Sequence, residues 1–191
     1  MFFTGGYACR PQRPSQPSIA SPPATGKRTA STRPSHSRSP IRASARYRGG
    51  FTDFEATLSG GETPRLEGLA RVASVVAQDE NLIGHLQSPD FFDAERYPEL
   101  TFSGSELAYE GDDVVIQGQL TLRGVTLPVE LRGTISAPSV DAYGKDRIGV
   151  SLSTEVDRTA FGVSWNAELP NGGLAVSHET RLEAELSLVK A

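Results

Sequence analysis

Apolar and polar residues alternate along several short segments of the chain, which is the pattern of strands with one buried face. In the clearest segment Val114, Ile116, Leu120 and Leu122 share one face, while polar residues take the other. The same alternation recurs at 127–135, 148–156 and 176–188, and more weakly at 51–59, 66–77 and 99–109. Seven short strands at this spacing predict an all-β sandwich or barrel built from antiparallel neighbours.

One stretch, His85–Pro98, combines a helix ending, a turn and the start of a strand. Helical material is predicted at roughly 79–93, with Ser88 as an N-cap and Pro89 at the first helical position of the following turn. Pro98 then returns the chain to extended geometry, because the residue before a proline is disfavoured in the α region.

Four motifs in a fixed order place this pattern in a known family. They are FTDF at 51–54, HLQSPDFFDAERYPELTFSGS at 85–105, GQLTLRGVTLPVEL at 118–131 and DRTAFGVSWN at 157–166. Residues 51–191 therefore resemble the YceI-like, polyisoprenoid-binding family. The resemblance implies a lipocalin-like up-and-down β-barrel with a short helical insertion, spanning 49–191, that binds a long isoprenoid or similar amphipathic lipid inside.

The residues expected to line such a lipid are mainly the apolar side chains of the predicted inner face. They are Phe102, Ile116, Leu120, Leu122, Val129, Leu131, Val150, Leu152, Phe161, His178 and Leu182. Phe161 and Trp165 are also predicted to pack beneath a loop. An apolar lining favours any long chain, because each methylene removed from water contributes about 0.8 kcal/mol without a directional partner.

Arg158 and His178 are the candidates for contacting a lipid head group. By the alternation of the last segment His178 shares a face with Val176 and Leu182, so its side chain is predicted to point inward, where a polar ring needs a partner. The alternative is a core or rim histidine bonded to its neighbours. Arg158 can meet a phosphate, or it forms a structural loop contact beside Asp157.

No motif for metal, nucleotide or nucleophilic chemistry stands out. His36, His85 and His178 are widely separated, and Cys9 has no second cysteine with which to pair. We therefore predict no cofactor, no metal and no catalytic residues, hence a protein that is not an enzyme. Two alternatives stay open: an enzyme acting on a small apolar substrate with His178, Thr180 and Asp157, and a structural or stress-associated protein without a dedicated ligand.

The first quarter of the chain has a different composition. Residues 1–50 carry nine Lys or Arg and no acidic residue, whereas residues 51–191 carry ten basic and 23 acidic residues, so the two parts have formal charges of +9 and −13. Residues 1–48, rich in Pro, Ser and Arg, are predicted to be disordered. The acidic body disfavours nucleic acid as a partner of the domain.

The resembled family has barrel strands at the position where this chain has a basic segment rich in Pro, Ser and Arg. A shifted reading frame over 25–47 can encode alternating apolar residues, because serine codons beginning TC place thymine in the middle of the shifted codon. We hypothesise that residues 1 to about 48 are a frame-shifted or misannotated translation. On this view the chain as written lacks N-terminal strands, and its barrel is incomplete.

The expected cellular location rests on which apolar segments the sequence contains. No run of about 20 apolar residues predicts a transmembrane segment, and no apolar core of a signal peptide is present in this sequence. The expected location is therefore cytoplasmic, with a periplasmic or secreted location if the start is misannotated. A homodimer is left open.

Overall fold

The computed structural model of the protein describes residues 6–9, 48–61, 63–110, 113–170 and 172–190. These residues form strands, one α-helix and two short 3₁₀ turns, at Val72–Ser74 and Arg158–Phe161. The elements are β1 Gly6–Cys9, β2 Gly50–Phe51, β3 Phe54–Ser59, β4 Arg65–Arg71, β5 Val75–Val76, α1 Glu80–Gln87, β6 Glu99–Glu110, β7 Asp113–Leu122, β8 Val125–Ile135, β9 Ser139–Val140, β10 Asp146–Asp157 and β11 Glu179–Lys190.

The main sheet closes into a ring. Its strands follow the order β11-β1-β3-β4-β6-β7-β8-β10-β9, and β10 also pairs with β11. Every pairing is antiparallel, and most neighbours are consecutive in the chain. The predicted all-β, up-and-down, lipocalin-like barrel with a short helical insertion is therefore confirmed.

The ring has its fewest paired residues at β1, which lies between β3 and β11. β1 pairs four residues with β3 but only Tyr7 and Ala8 with Val189 and Lys190 at the end of the twelve-residue β11. Within the described residues, β1 thus bridges only one end of the seam, which agrees with the expected incompleteness near the N-terminus.

Gly6–Cys9 correct one part of the prediction for residues 1–48, because these four residues form a strand instead of a disordered tail. Residues 10–47, and with them His36, lie outside the described residues. The hypothesis of a shifted reading frame stays a prediction, which sequencing of the gene tests.

Three sequence-based boundaries are wrong. Helix α1 ends at Gln87 and its N-cap is Asp79, whereas the Ser88 hydroxyl donates to the carbonyl oxygen of His85 at 2.7 Å, so Ser88 is the C-cap. The β7–β8 turn consists of Arg123 and Gly124 alone, both with positive φ (52° and 74°), as a two-residue hairpin turn requires. The alternation predicted the next strand from residue 127, whereas β8 begins at Val125. The last strand begins at Glu179, after the predicted Val176.

The barrel interior holds two groups of apolar side chains. The first core cluster contains Ala56, Leu58, Leu66, Val114, Ile116, Ile148, Val150, Leu152 and Leu188, none more than 8% exposed. The second core cluster contains Phe91, Leu120, Leu122, Val156, Phe161 and Val163, and α1 packs against it through Leu86.

Phe102 contacts both clusters, and two glycines make room for its ring. Gly104 and Gly118 are cross-strand partners, and a Cβ on either would come within 3.0 Å of ring atoms of Phe102. The ring therefore lies over bare backbone between the two core clusters.

A candidate ligand-binding cleft in the barrel wall

The barrel wall opens between β8 and β10. These strands pair only where Arg132–Ile135 face Val150–Ser153. Toward the second core cluster, residues 125–131 of β8 and 154–157 of β10 have no pairing across this gap in the described structure. Pro128 lies in the unpaired part of β8 and has no N–H to donate to a neighbouring strand, a position that suits proline in a sheet.

A cleft of about 590 Å³ occupies this opening. Its floor is apolar and includes Leu127, Val129, Val156 and Phe161, of which the last two belong to the second core cluster. Its mouth is polar and includes Glu130, Arg132, Ser153, Glu155, Asp157 and Arg181. Successive strand residues point to opposite faces of a sheet, so the cleft is lined by side chains from both faces of the wall.

Ion pairs occupy both arginines at the mouth. Arg132 binds Glu130 through Nε and Glu110 through Nη1, the latter at 2.9 Å, and these carboxylates raise the pKa of its guanidinium. Arg181 binds Glu183 at 2.8 Å and donates to the Ser153 hydroxyl at 3.3 Å.

Two lining residues of the cleft, Ala160 and Phe161, belong to the 3₁₀ turn that follows β10. Asp157 caps this turn by accepting from the N–H and the hydroxyl of Thr159, at 2.8 and 2.6 Å. The hydroxyl and the N–H of Thr159 hold the pKa of the Asp157 carboxyl below its usual value, so the carboxylate is ionised at neutral pH.

Arg158 anchors the loop that follows this turn. It is only 5% exposed, and its guanidinium donates to the backbone carbonyl oxygens of Val163, Trp165, Val176 and Ser177. Burial lowers the pKa of Arg158, and the four acceptors compensate for the desolvation of the charge. This is the loop contact that the sequence left open as the alternative, and the geometry gives no support to a phosphate-binding role for this residue.

An aromatic group joins α1 to the same loop. The His85 ring meets the rings of Trp165 and Phe91 edge-on, with centroids 4.5 and 4.8 Å apart. Arg123 donates to the carbonyl oxygens of Pro89, Phe91 and Gly162, linking the turn after α1 to the turn after β10. His85 and Arg123 thus hold α1 and the turns after α1 and β10 together at the end of the barrel beside the cleft.

His178 does not point into the barrel, so that prediction is wrong. It precedes β11 and is exposed, because the strand begins at Glu179, three residues after the predicted start at Val176. The enzymatic alternative named His178, Thr180 and Asp157. Within the described residues no side-chain hydrogen bond joins His178 to either of the other two. A head-group contact by His178 stays a prediction.

The other predicted lining residues lie in or against the two core clusters. Ile116, Val150 and Leu152 belong to the first and Leu120, Leu122 and Phe161 to the second, while Phe102, Leu131, Val129 and Leu182 pack against them.

Of these candidates, Val129 and Phe161 also line the cleft. Sequence reasoning missed Leu127, Val156 and Ala160 as cleft residues. A proline flanked by inward-facing Leu127 and Val129 was the available signal, because it marks a stretch of strand that lacks a neighbour on one side.

The described residues offer neither a metal site nor a membrane-spanning helix. They contain no group of three His, Cys, Asp or Glu side chains that could hold a metal ion. They also contain no helix with the length and apolar character needed to cross a lipid bilayer.

Fold and cleft together define an up-and-down antiparallel β-barrel with an apolar interior and a cleft in its wall between β8 and β10. The model of the YceI-like domain family matches residues 30–188, starting ahead of the boundary predicted near residue 48. The chain belongs to the YceI-like domain family.

Relatives in sequence and in structure agree with this assignment. The chain is 33% identical over 117 residues to a UPF0312 protein of Photorhabdus laumondii and 31% identical over 119 residues to Protein YceI of Escherichia coli. These matches cover 59% and 60% of the chain, and only 61% and 62% of the length of those relatives. The names of these relatives state no enzymatic reaction.

Two crystal structures show the same fold. The YceI protein of Campylobacter jejuni matches with a TM-score of 0.64 and 23% identity, covering 77% of this chain and 86% of that protein. BcnA of Burkholderia cenocepacia matches with a TM-score of 0.58 and 22% identity, covering 74% and 86%.

Proposed function

We propose that this protein binds a long-chain isoprenoid or similar amphipathic lipid and carries or sequesters it without chemical reaction. One observation carries the proposal: the cleft between β8 and β10 connects a polar mouth to an apolar floor that is continuous with the second core cluster. An amphipathic molecule needs both environments at once.

The size and chemistry of the cleft support this proposal. A volume of about 590 Å³ lies within the range of roughly 300–1,000 Å³ that small-molecule sites occupy. Leu127, Val129 and Val156 offer apolar contact without directional groups, so the floor accepts chains of differing length. A difference of one methylene changes binding by only about 1–3 kcal/mol in such a lining.

Native mass spectrometry and lipid extraction of the purified full chain test this function. We expect a co-purifying long-chain lipid that organic solvent removes and that rebinds from a dispersed sample. An empty barrel that takes up no added isoprenoid would contradict the proposal and favour the structural alternative.

A variant that fills the cleft tests whether the lipid binds there. Val129→Trp should lower lipid occupancy about tenfold or more, because the indole takes the volume that the chain would use. Thr134→Trp is the matched control, since Thr134 is exposed on the same strand in its paired part. Equal occupancy in both variants would show that the lipid lies elsewhere.

A further inference from the structure

The head-group end of the cleft has no free cation among its described lining residues. Arg132 is shared by Glu110 and Glu130, and Arg181 is held by Glu183. A phosphate on a lipid would have to compete with these carboxylates for the guanidinium groups, which lowers the gain from the contact.

The remaining ionisable residues of the lining are acidic. Glu155 and Asp157 also face the cleft, and the described ion pairs include neither of them. A phosphate monoester, with a charge of about −1.5 to −2 at pH 7, would be repelled by these carboxylates. Ser153 and Thr154, also in the lining, offer hydroxyl groups. An alcohol can donate to a carboxylate and accept from a hydroxyl without any net charge.

We propose that the cleft selects amphiphiles with an uncharged, hydrogen-bonding head group and disfavours phosphorylated lipids of the same chain. The inference rests on the proposed function and assigns the class of ligand. The selecting groups are the carboxylates that neutralise Arg132 and Arg181, together with Glu155 and Asp157.

Geranylgeraniol and geranylgeranyl monophosphate test the inference, because they differ only in the head group. Trp165 is the only tryptophan of the chain and packs against the second core cluster, so its fluorescence reports binding to the full chain. At low salt we expect the alcohol to bind about tenfold more tightly than the phosphate, with a smaller difference at high salt.

A double variant tests the cause. Glu110→Gln with Glu130→Gln frees Arg132 and should raise the affinity for the phosphate about threefold or more at low salt, which is more than it should change the affinity for the alcohol. The control is Glu55→Gln with Glu67→Gln, the same charge change at exposed positions of β3 and β4.

Three results would overturn the inference. The phosphate could bind the unaltered protein as tightly as the alcohol, the double variant could leave phosphate binding unchanged, or the control could raise it equally. Binding of neither lipid would instead contradict the proposed function itself, so the two failures are distinguishable.

Discussion

The β8–β10 wall contains two stretches that differ in almost every respect. In the closed stretch, Arg132–Ile135 pair with Val150–Ser153 over a first core cluster whose members are nearly inaccessible to solvent. In the open stretch the same strands separate around Pro128, and Leu127 and Val129 stay half-buried beside the cleft. The comparison indicates that the closed stretch stabilises the barrel, whereas the open stretch leaves apolar side chains beside the cleft.

The largest expected effect compares one substitution in the two stretches. Leu152→Ala should lower the free energy of unfolding by about 2–5 kcal/mol, because Leu152 is 2% exposed and its loss leaves a cavity in the first core cluster. Leu127→Ala should lower it by about 1 kcal/mol or less, because the half-buried side chain already borders open space.

Urea unfolding of the two variants measures this difference. Lipid binding should respond in the opposite order, with Leu127→Ala weakening it more than Leu152→Ala does under conditions where both are folded. Equal destabilisation by the two substitutions would remove the distinction between the closed and the open stretch.

A second effect, of intermediate size, tests how tightly the closed stretch is packed. Gly133 faces Leu152 in the pairing, and a Cβ there would overlap the backbone carbonyl oxygen of Ser151. Gly133→Ala should therefore destabilise the barrel by about 1–3 kcal/mol, since backbone cannot move aside as a side chain can.

Gly149→Ala is the control for this substitution. Gly149 lies in β10, and the nearest contact for a Cβ added there is the Ser136 hydroxyl at 3.5 Å, an ordinary distance. Thermal unfolding should show a clear loss for Gly133→Ala alone. A well-tolerated alanine at Gly133 would mean that the strands can separate here as well.

The contrast between the two stretches also explains which features the sequence predicted. Alternation identified β7, β8 and β10 because one face of each strand is buried, and that requirement acts on every second residue. The residues of the first core cluster on these strands followed directly from it. The open stretch keeps the same alternation, so periodicity alone could not distinguish the wall that is paired from the wall that is not.

Features that depend on distant backbone were not predictable in the same way. The sequence left Arg158 open between a phosphate contact and a structural loop contact, because its partners are carbonyl oxygens of residues 163–177, which have no side-chain signature. Gly6–Cys9 form a strand only because β3 and β11 supply neighbours from far along the chain. His178 was misplaced because the alternation starts at Val176, before the strand begins at Glu179.

The smallest expected effect concerns the loop that joins β9 to β10 at the closed end. Asp141 accepts from the N–H groups of Tyr143 and Lys145 at 2.8 and 2.9 Å and from Arg147 Nε at 2.6 Å. The hydrogen bond from Arg147, with those from the two N–H groups, lowers the pKa of this carboxyl to about 2.

This depressed pKa fixes the sign of a pH dependence. The carboxylate stabilises the folded state above its ordinary pKa of about 3.9, and that contribution is lost as the pH falls toward about 2. Asp141→Asn should therefore lower the unfolding midpoint at neutral pH, and the gap to the unaltered protein should shrink between about pH 4 and about pH 2. Asp146→Asn, whose carboxylate lies 3.9 Å from Lys190 Nζ, is the control and should have a smaller effect at neutral pH. A gap for Asp141→Asn that stays constant across this pH range would show that the loop at the closed end does not depend on the ionised carboxylate.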